Sequence, residues 1–245
     1  MKLACRLCKQ PADLRDSHVF PEFVYRPSYD GTHTAVLLDM QAGVKGKRQK
    51  GFTESMLCDA CENRFSKWED YFARIWLHRT NNIRPASLVA GQLITVAGLD
   101  YAPFKLFHMS VLWRAGVSNR REFDAVTLGT REQALRLALL ASDPGRPDEF
   151  PFFGVGLRDP KTGGWQDALI HAPVAARMNG QWVFTMIFGG VRWHYFTSAH
   201  KAGRGIEPTL DHAGELPLLI EDWSDDPYMR SSAPKVRGLR SPKQR

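Results

Sequence analysis

The chain has 245 residues, of which 43% are hydrophobic and 24% charged, close to globular averages and incompatible with bulk disorder. The 14 Phe and 7 Trp supply a real core, and the length suits one compound domain or two small ones. The apolar runs are too short to span a bilayer or to form a signal peptide, so a soluble, cytoplasmic protein without a membrane partner is expected.

The net charge of +7 comes from 33 basic and 26 acidic residues. Residues 228–245 hold six of the basic residues and no acid, leaving 27 basic against 26 acidic residues in the body. The basic pI therefore reflects a tail. Its Pro, Ser and Gly content and low apolar content predict disorder, as a solubilising end or as an arm that seeks phosphates.

In chain order, the first signal is a knuckle, Cys5-Arg6-Leu7-Cys8. The only other cysteines are Cys58 and Cys61, so the four thiols form two Cys-x-x-Cys pairs separated by 49 residues. Disulfides do not persist in a reducing compartment, whereas two such pairs suit a tetrahedral zinc ion. With four protein ligands the ion has no open position, so its role is structural. Two unrelated redox or buried pairs are the bland alternative, but no thioredoxin-like pattern surrounds either pair.

After the knuckle comes Asp16-Ser17-His18-Val19-Phe20-Pro21, and then an alternating stretch at 35–40 that predicts a strand. Gly43, Gly46 and Gly51 bracket a basic loop holding Lys45, Lys47, Arg48 and Lys50. It is either a solvated loop or a contact for a nucleic-acid backbone. The second cysteine pair opens a helix with an apolar stripe at Phe65, Trp68, Phe72, Ile75 and Trp76. Arg64 and Lys67 on its polar face extend the basic patch.

A knuckle, a β-hairpin and a helix tied by zinc form a treble-clef ββα arrangement. The run Cys5-x-x-Cys8, Ser17-His18-Val19-Phe20-Pro21, Leu57-Cys58-x-x-Cys61-Glu62-Asn63-Arg64 resembles the HNH endonuclease (ββα-metal) family over roughly residues 1–80. It more closely resembles a group of bacterial HNH-like proteins with a Ser-His-Val-x-Pro and Cys-Glu-Asn signature. The resemblance implies a nuclease of the kind found in mobile-element or anti-phage defence settings, with His18 as general base. It places Glu62 where the family has a metal-ligating helix histidine, and Glu69 at the spacing of a later glutamate. Ser17 replaces the acid that often ligates metal beside the base, and Thr53 falls near the missing middle Asn. Asp16 and Asn63 are the candidate substitutes.

The chemistry fits these residue types. A neutral imidazole can take a proton from water at neutral pH. Carboxylate and amide oxygens suit Mg²⁺ or Mn²⁺. DNA is the favoured partner over RNA. The alternative is a non-catalytic zinc module that binds nucleic acid or a protein.

Beyond residue 80 the pattern predicts a strand at 92–96, a buried helix at 104–115, and a helix capped by Thr130 and running to Ala141. Strands follow at 152–157, 168–173, 181–188 and 191–197. The turn pairs Asn179-Gly180 and Gly189-Gly190 argue for antiparallel hairpins. His108, Trp113 and Arg114 are possible site-lining residues, while His171 and His194 lack paired ligand spacing. The whole reads as α+β: a zinc-stapled module at 1–80, an accessory domain of helices and antiparallel strands at 81–227, and the flexible basic tail.

Overall fold

The computed structural model describes residues 2–29, 51–78, 83–178, 180–197 and 210–225, together with the backbone of two strands at 35–39 and 44–48. Lys50, Asn179 and the tail from residue 228 lie outside the described residues.

In chain order, β1 (Leu3–Ala4) and β2 (Pro11–Ala12) pair around the knuckle. β3 (Leu14–His18) leads into the short α1 (Glu22–Tyr25). β4 (Ala35–Asp39) and β5 (Val44–Arg48) pair antiparallel. Lys45, Lys47 and Arg48 thus lie in a strand rather than in the expected loop, and Gly46 sits opposite Leu37 within the ladder. β6 (Thr53–Cys58) pairs antiparallel with β3 and runs directly into α2 (Asp59–Phe72). Asp59 and Glu62 fall in the first turn of α2, where carboxylates complement the helix dipole. The helix continues as a π turn over Ala73–Leu77, which carries buried Ile75 and Trp76.

β7 (Leu93–Val96) precedes α3 (Tyr101–Val117). Every α3 residue from Phe104 to Ala115 is buried, as befits a helix that is apolar on all sides. The Lys105, His108, Ser110 and Arg114 side chains are the polar exceptions in that run, and each has a hydrogen-bond partner. α4 (Arg131–Ala141) begins after Thr130. Thr130 makes no side-chain cap, because its backbone is already helical and the turn is closed instead by Arg131 N–H to the Leu128 carbonyl.

The remaining strands are β8 (Phe152–Arg158), β9 (His171–Met178), β10 (Gln181–Phe188), β11 (Val191–Phe196) and β12 (Leu216–Asp222). With β7 they form one six-stranded sheet in the order β7-β12-β8-β11-β10-β9. The hairpins joining β9, β10 and β11 are antiparallel, as the turn pairs predict. The sheet is not purely antiparallel, however. β12 runs parallel to β8, with Leu218 opposite Gly154 and Ile220 opposite Gly156. The two glycines allow that closeness: a Cβ on Gly154 would lie 2.8 Å from Leu218 Cδ2 and 3.0 Å from Trp193 Cζ3.

The sheet packs on α3, and α3 packs on α2. One core runs through all three layers. Phe72 of α2 stacks on Phe107 of α3 with ring centroids 3.9 Å apart. Phe20 meets Phe123 and Phe188 at 5.6 Å, and Trp76 meets Trp193 at 5.7 Å. Polar ties cross between the halves of the chain as well. Glu54 of β6 accepts from Ser118 Oγ at 2.8 Å, from the Asn119 N–H at 3.0 Å and from Arg6. Arg6 also donates to the Val117 carbonyl, and Arg136 donates to the Leu7 carbonyl. Burial pushes the Glu54 carboxyl up, but these donors outweigh it and hold it below the ordinary range. The knuckle, β3, β6 and α2 are therefore built onto the second half through both core and polar contacts. Among the described residues no helix is long and apolar enough to cross a membrane.

Candidate functional site

The knuckle brings Cys5 and Cys8 together because the chain reverses within four residues. Lys9 takes the left-handed conformation, with φ 63°, and its N–H returns to the Cys5 carbonyl at 2.8 Å. The Arg6 N–H bonds the Met56 carbonyl at 3.0 Å, docking the knuckle on β6. Cys58 ends β6 and Cys61 lies in the first turn of α2. The four sulfurs lie within 4.8 Å of one another. Cys8 and Cys58 sulfurs are 3.8 Å apart, far beyond a disulfide bond. A tetrahedron with metal–sulfur bonds of about 2.3 Å has edges of about 3.8 Å. These cysteines can hold a metal ion.

Electrostatics favour a cation at that point. Burial pushes the Cys5 thiol up, but N–H groups of Cys58, Cys8 and Leu7 outweigh it and bring it down to about 7. The Cys58 N–H lies 3.3 Å from the Cys5 sulfur. Burial and the neighbouring sulfurs push Cys61 strongly up instead. Four thiols this close cannot ionise together without a positive charge among them.

The second cluster lies at the end of β3. His18 is about one-quarter exposed, and its Nε2 lies 3.1 Å from Glu22 Oε2 on α1. That is ion-pair distance without hydrogen-bond angles, and neither atom has another hydrogen-bond partner. Burial pushes the His18 imidazole below its ordinary value, and Arg114 adds to this against the opposing pull of Glu22 and Glu69. Ser17, fully buried, donates to Glu62 Oε2 at 2.9 Å. Burial holds the Glu62 carboxyl above the ordinary range, against Arg114 and Ser17. Glu62 and Glu69 are two helical turns apart, so both look out from one face of α2. Arg114 pairs with Glu69, its Nη1 lying 2.6 Å from Glu69 Oε1, and its charge also acts on Glu62.

The other expected site residues take other partners. Asp16 accepts from Ser55 Oγ at 3.0 Å on the exposed side of the β3–β6 pair. Asn63 donates to Asp59 Oδ2 at 3.2 Å, and Asp59 also accepts from Arg15. Lys67 is exposed and Arg64 half-buried on α2. Of the second-half candidates, Trp113 Nε1 donates to Glu132 at 3.1 Å. His108 is sealed in the core, where its Nδ1 bonds Tyr195 Oη at 2.8 Å. His194 bonds Thr185 Oγ1 at 2.9 Å in the sheet.

Glu22 is the residue at this site that sequence reasoning passed over. His18 ends β3 and Glu22 opens α1, so the corner at Pro21 brings them together and no sequence periodicity signals the contact. Comparison with protein-family models, curated proteins and solved structures gives no match.

Proposed function

We propose that this chain is a zinc-stapled, treble-clef HNH-type nuclease that hydrolyses phosphodiester bonds of nucleic acid, preferentially DNA. The observation that carries the reading is the strand–helix unit itself. β3 ends in a partly exposed, neutral histidine, its neighbour Ser17 donates to the half-buried Glu62 carboxylate of α2, and the charge of Arg114 acts on both His18 and Glu62. The cysteine cluster fastens the start of that same helix.

In this reading zinc is structural. A hard cation such as Mg²⁺ or Mn²⁺, when bound, supplies positive charge to the phosphate under attack. Among the described residues only the four cysteines converge as a set of three or more ligands. Glu62 is the residue that would hold a hard cation, which commonly also takes waters and substrate phosphate as ligands. His18 takes the proton from the attacking water; Glu22 holds the ring and favours the imidazolium that results. Lys45, Lys47, Arg48, Lys50, Arg64 and Lys67 contact the phosphate backbone without reading sequence.

One specific observation favours a second reading, a zinc module that binds nucleic acid or protein without catalysis. Glu69, the family-spaced later acid, is neutralised by Arg114 instead of standing free for a cation. Incubating purified protein with duplex, single-stranded and RNA substrates in Mg²⁺ or Mn²⁺ separates the two. Cleavage supports the nuclease, and binding without cleavage supports the module.

A further inference from the structure

The zinc-clamped unit does not complete its own site. Arg114 comes from the middle of the chain, on α3, yet its guanidinium reaches into the β3–α2 cluster with only 1% of the side chain exposed. Nη1 donates to the His18 carbonyl at 2.7 Å and lies 2.6 Å from Glu69 Oε1. Nε and Nη2 donate to the carbonyl and the hydroxyl of Ser110, one turn earlier, each at 3.3 Å. The cation also sits 5.4 Å from the Phe65 ring centroid. Ser110 is held in turn by donating to the Phe107 carbonyl at 2.7 Å.

We propose that Arg114 is the positioning residue of the His18 site, so that the site is assembled from both halves of the chain. The inference deepens the nuclease reading and rests on it for the reaction, but its geometry stands independently. A buried guanidinium is costly and persists only with well-placed partners. Here Nη1 alone bridges the His18 carbonyl and the Glu69 carboxylate, while Nε and Nη2 anchor the plane of the group on Ser110, and a lysine ammonium lacks that second anchor. By bonding the His18 carbonyl it fixes the end of β3 against α2 and α3. Its charge also acts on both His18 and Glu62, as does that of Glu69.

Each neighbour of His18 contributes a known sign. α1 presents Glu22, α2 presents Glu69, α3 presents Arg114, and β6 opposes His18 with uncharged Thr53. Glu22 and Glu69 raise the midpoint at which the ring takes a proton, and Arg114 lowers it.

The test is histidine-ring NMR titration of the full chain without substrate, with the cobalt–thiolate spectrum confirming that the cysteine cluster is intact. In Arg114→Gln the His18 midpoint is expected to rise by about half a pH unit or more, because Glu69 is left unbalanced beside it. Arg114→Lys, which keeps the charge, should bring the midpoint back toward wild type. A folded Arg114→Gln with the wild-type midpoint overturns the proposal. Should Arg114→Gln fail to fold, Glu69→Gln carries the test: the midpoint falls because Arg114 is left unopposed, and an unchanged midpoint overturns the proposal. Wild-type protein that cleaves nothing defeats the nuclease reading alone, since these midpoints are read without substrate.

Discussion

The Arg114 guanidinium donates to the His18 carbonyl across 96 positions of sequence, at 2.7 Å. The strand end that carries the candidate base is therefore held by the central helix of the second half, while the cysteine cluster holds the helix facing it. Site geometry and core packing depend on the same helix, α3, and this shapes what each substitution should do.

Metal content is the first expectation. Purified, reduced protein should hold about one zinc per chain. Cys58→Ser should lose it and loosen β6 and α2, because an incomplete thiolate set forfeits much of the binding energy that becomes folding energy. Elemental analysis checks this; less than about a quarter of an equivalent in chelator-free protein counts against it.

The shared core makes a second expectation. Phe72 is fully buried and stacks on Phe107 between the two halves. Phe72→Ala should cost about 3–5 kcal/mol, the usual range for deleting a buried aromatic. Urea unfolding should remain a single transition with parallel loss of near- and far-ultraviolet circular dichroism. Separate transitions for residues 1–78 and the remainder would show that the core is not shared.

Acid should weaken the fold through its buried histidines. Burial pushes His108 well below its ordinary value, and burial together with Arg192 brings His194 down to about 3. Both are neutral in the fold, whereas in the unfolded chain each takes a proton near pH 6.5. Stability is thus fully present above that value and falls as pH drops below it, by about 1.4 kcal/mol per pH unit for each histidine. The His108→Phe, Tyr195→Phe pair replaces a hydrogen-bonded couple by apolar groups and should remove one histidine's share of that slope between pH 6 and pH 5. Denaturant titrations measure it, and an unchanged slope contradicts the assignment to His108.

Nucleic-acid binding should depend steeply on salt, because contacts by Lys and Arg release counterions from the phosphate backbone. Deleting residues 230–245 should weaken binding and flatten the plot of log affinity against log salt. Equal affinity and slope at low salt would reduce the tail to a solubilising end.

The cysteine pairs, α2 and most of the second-half elements were legible in sequence because each rests on a local pattern: ligand spacing, helical periodicity or turn residues. β12 was missed because Pro217 and the acids Glu221 and Asp222 interrupt its alternation, and its parallel partner lies far away in sequence. Lys45–Arg48 reads as a loop from its charges and glycines, yet pairs as a strand since β4 supplies the ladder. His18 stands out by its motif, and the structure places it at the end of β3. Arg114 could be named as a candidate, but its role could not be read, because nothing local to α3 shows that a buried guanidinium would meet the carbonyl of His18. Asp16 and Asn63 neighbour His18 and Glu62 in sequence but take their hydrogen bonds with Ser55 and Asp59. The alternation of β3 and the helical turn of α2 decide this, and neither is visible in a motif.

The most direct measurement compares cleavage of DNA by wild-type protein and His18→Ala in Mg²⁺ or Mn²⁺ at matched zinc content. His18 lies outside the four cysteines, so zinc and fold should survive, while the rate falls by roughly 10²–10⁴-fold, the usual effect of removing a positioned base. Equal rates for the two proteins, or a wild type that binds DNA yet leaves every substrate intact with either cation, would contradict the account.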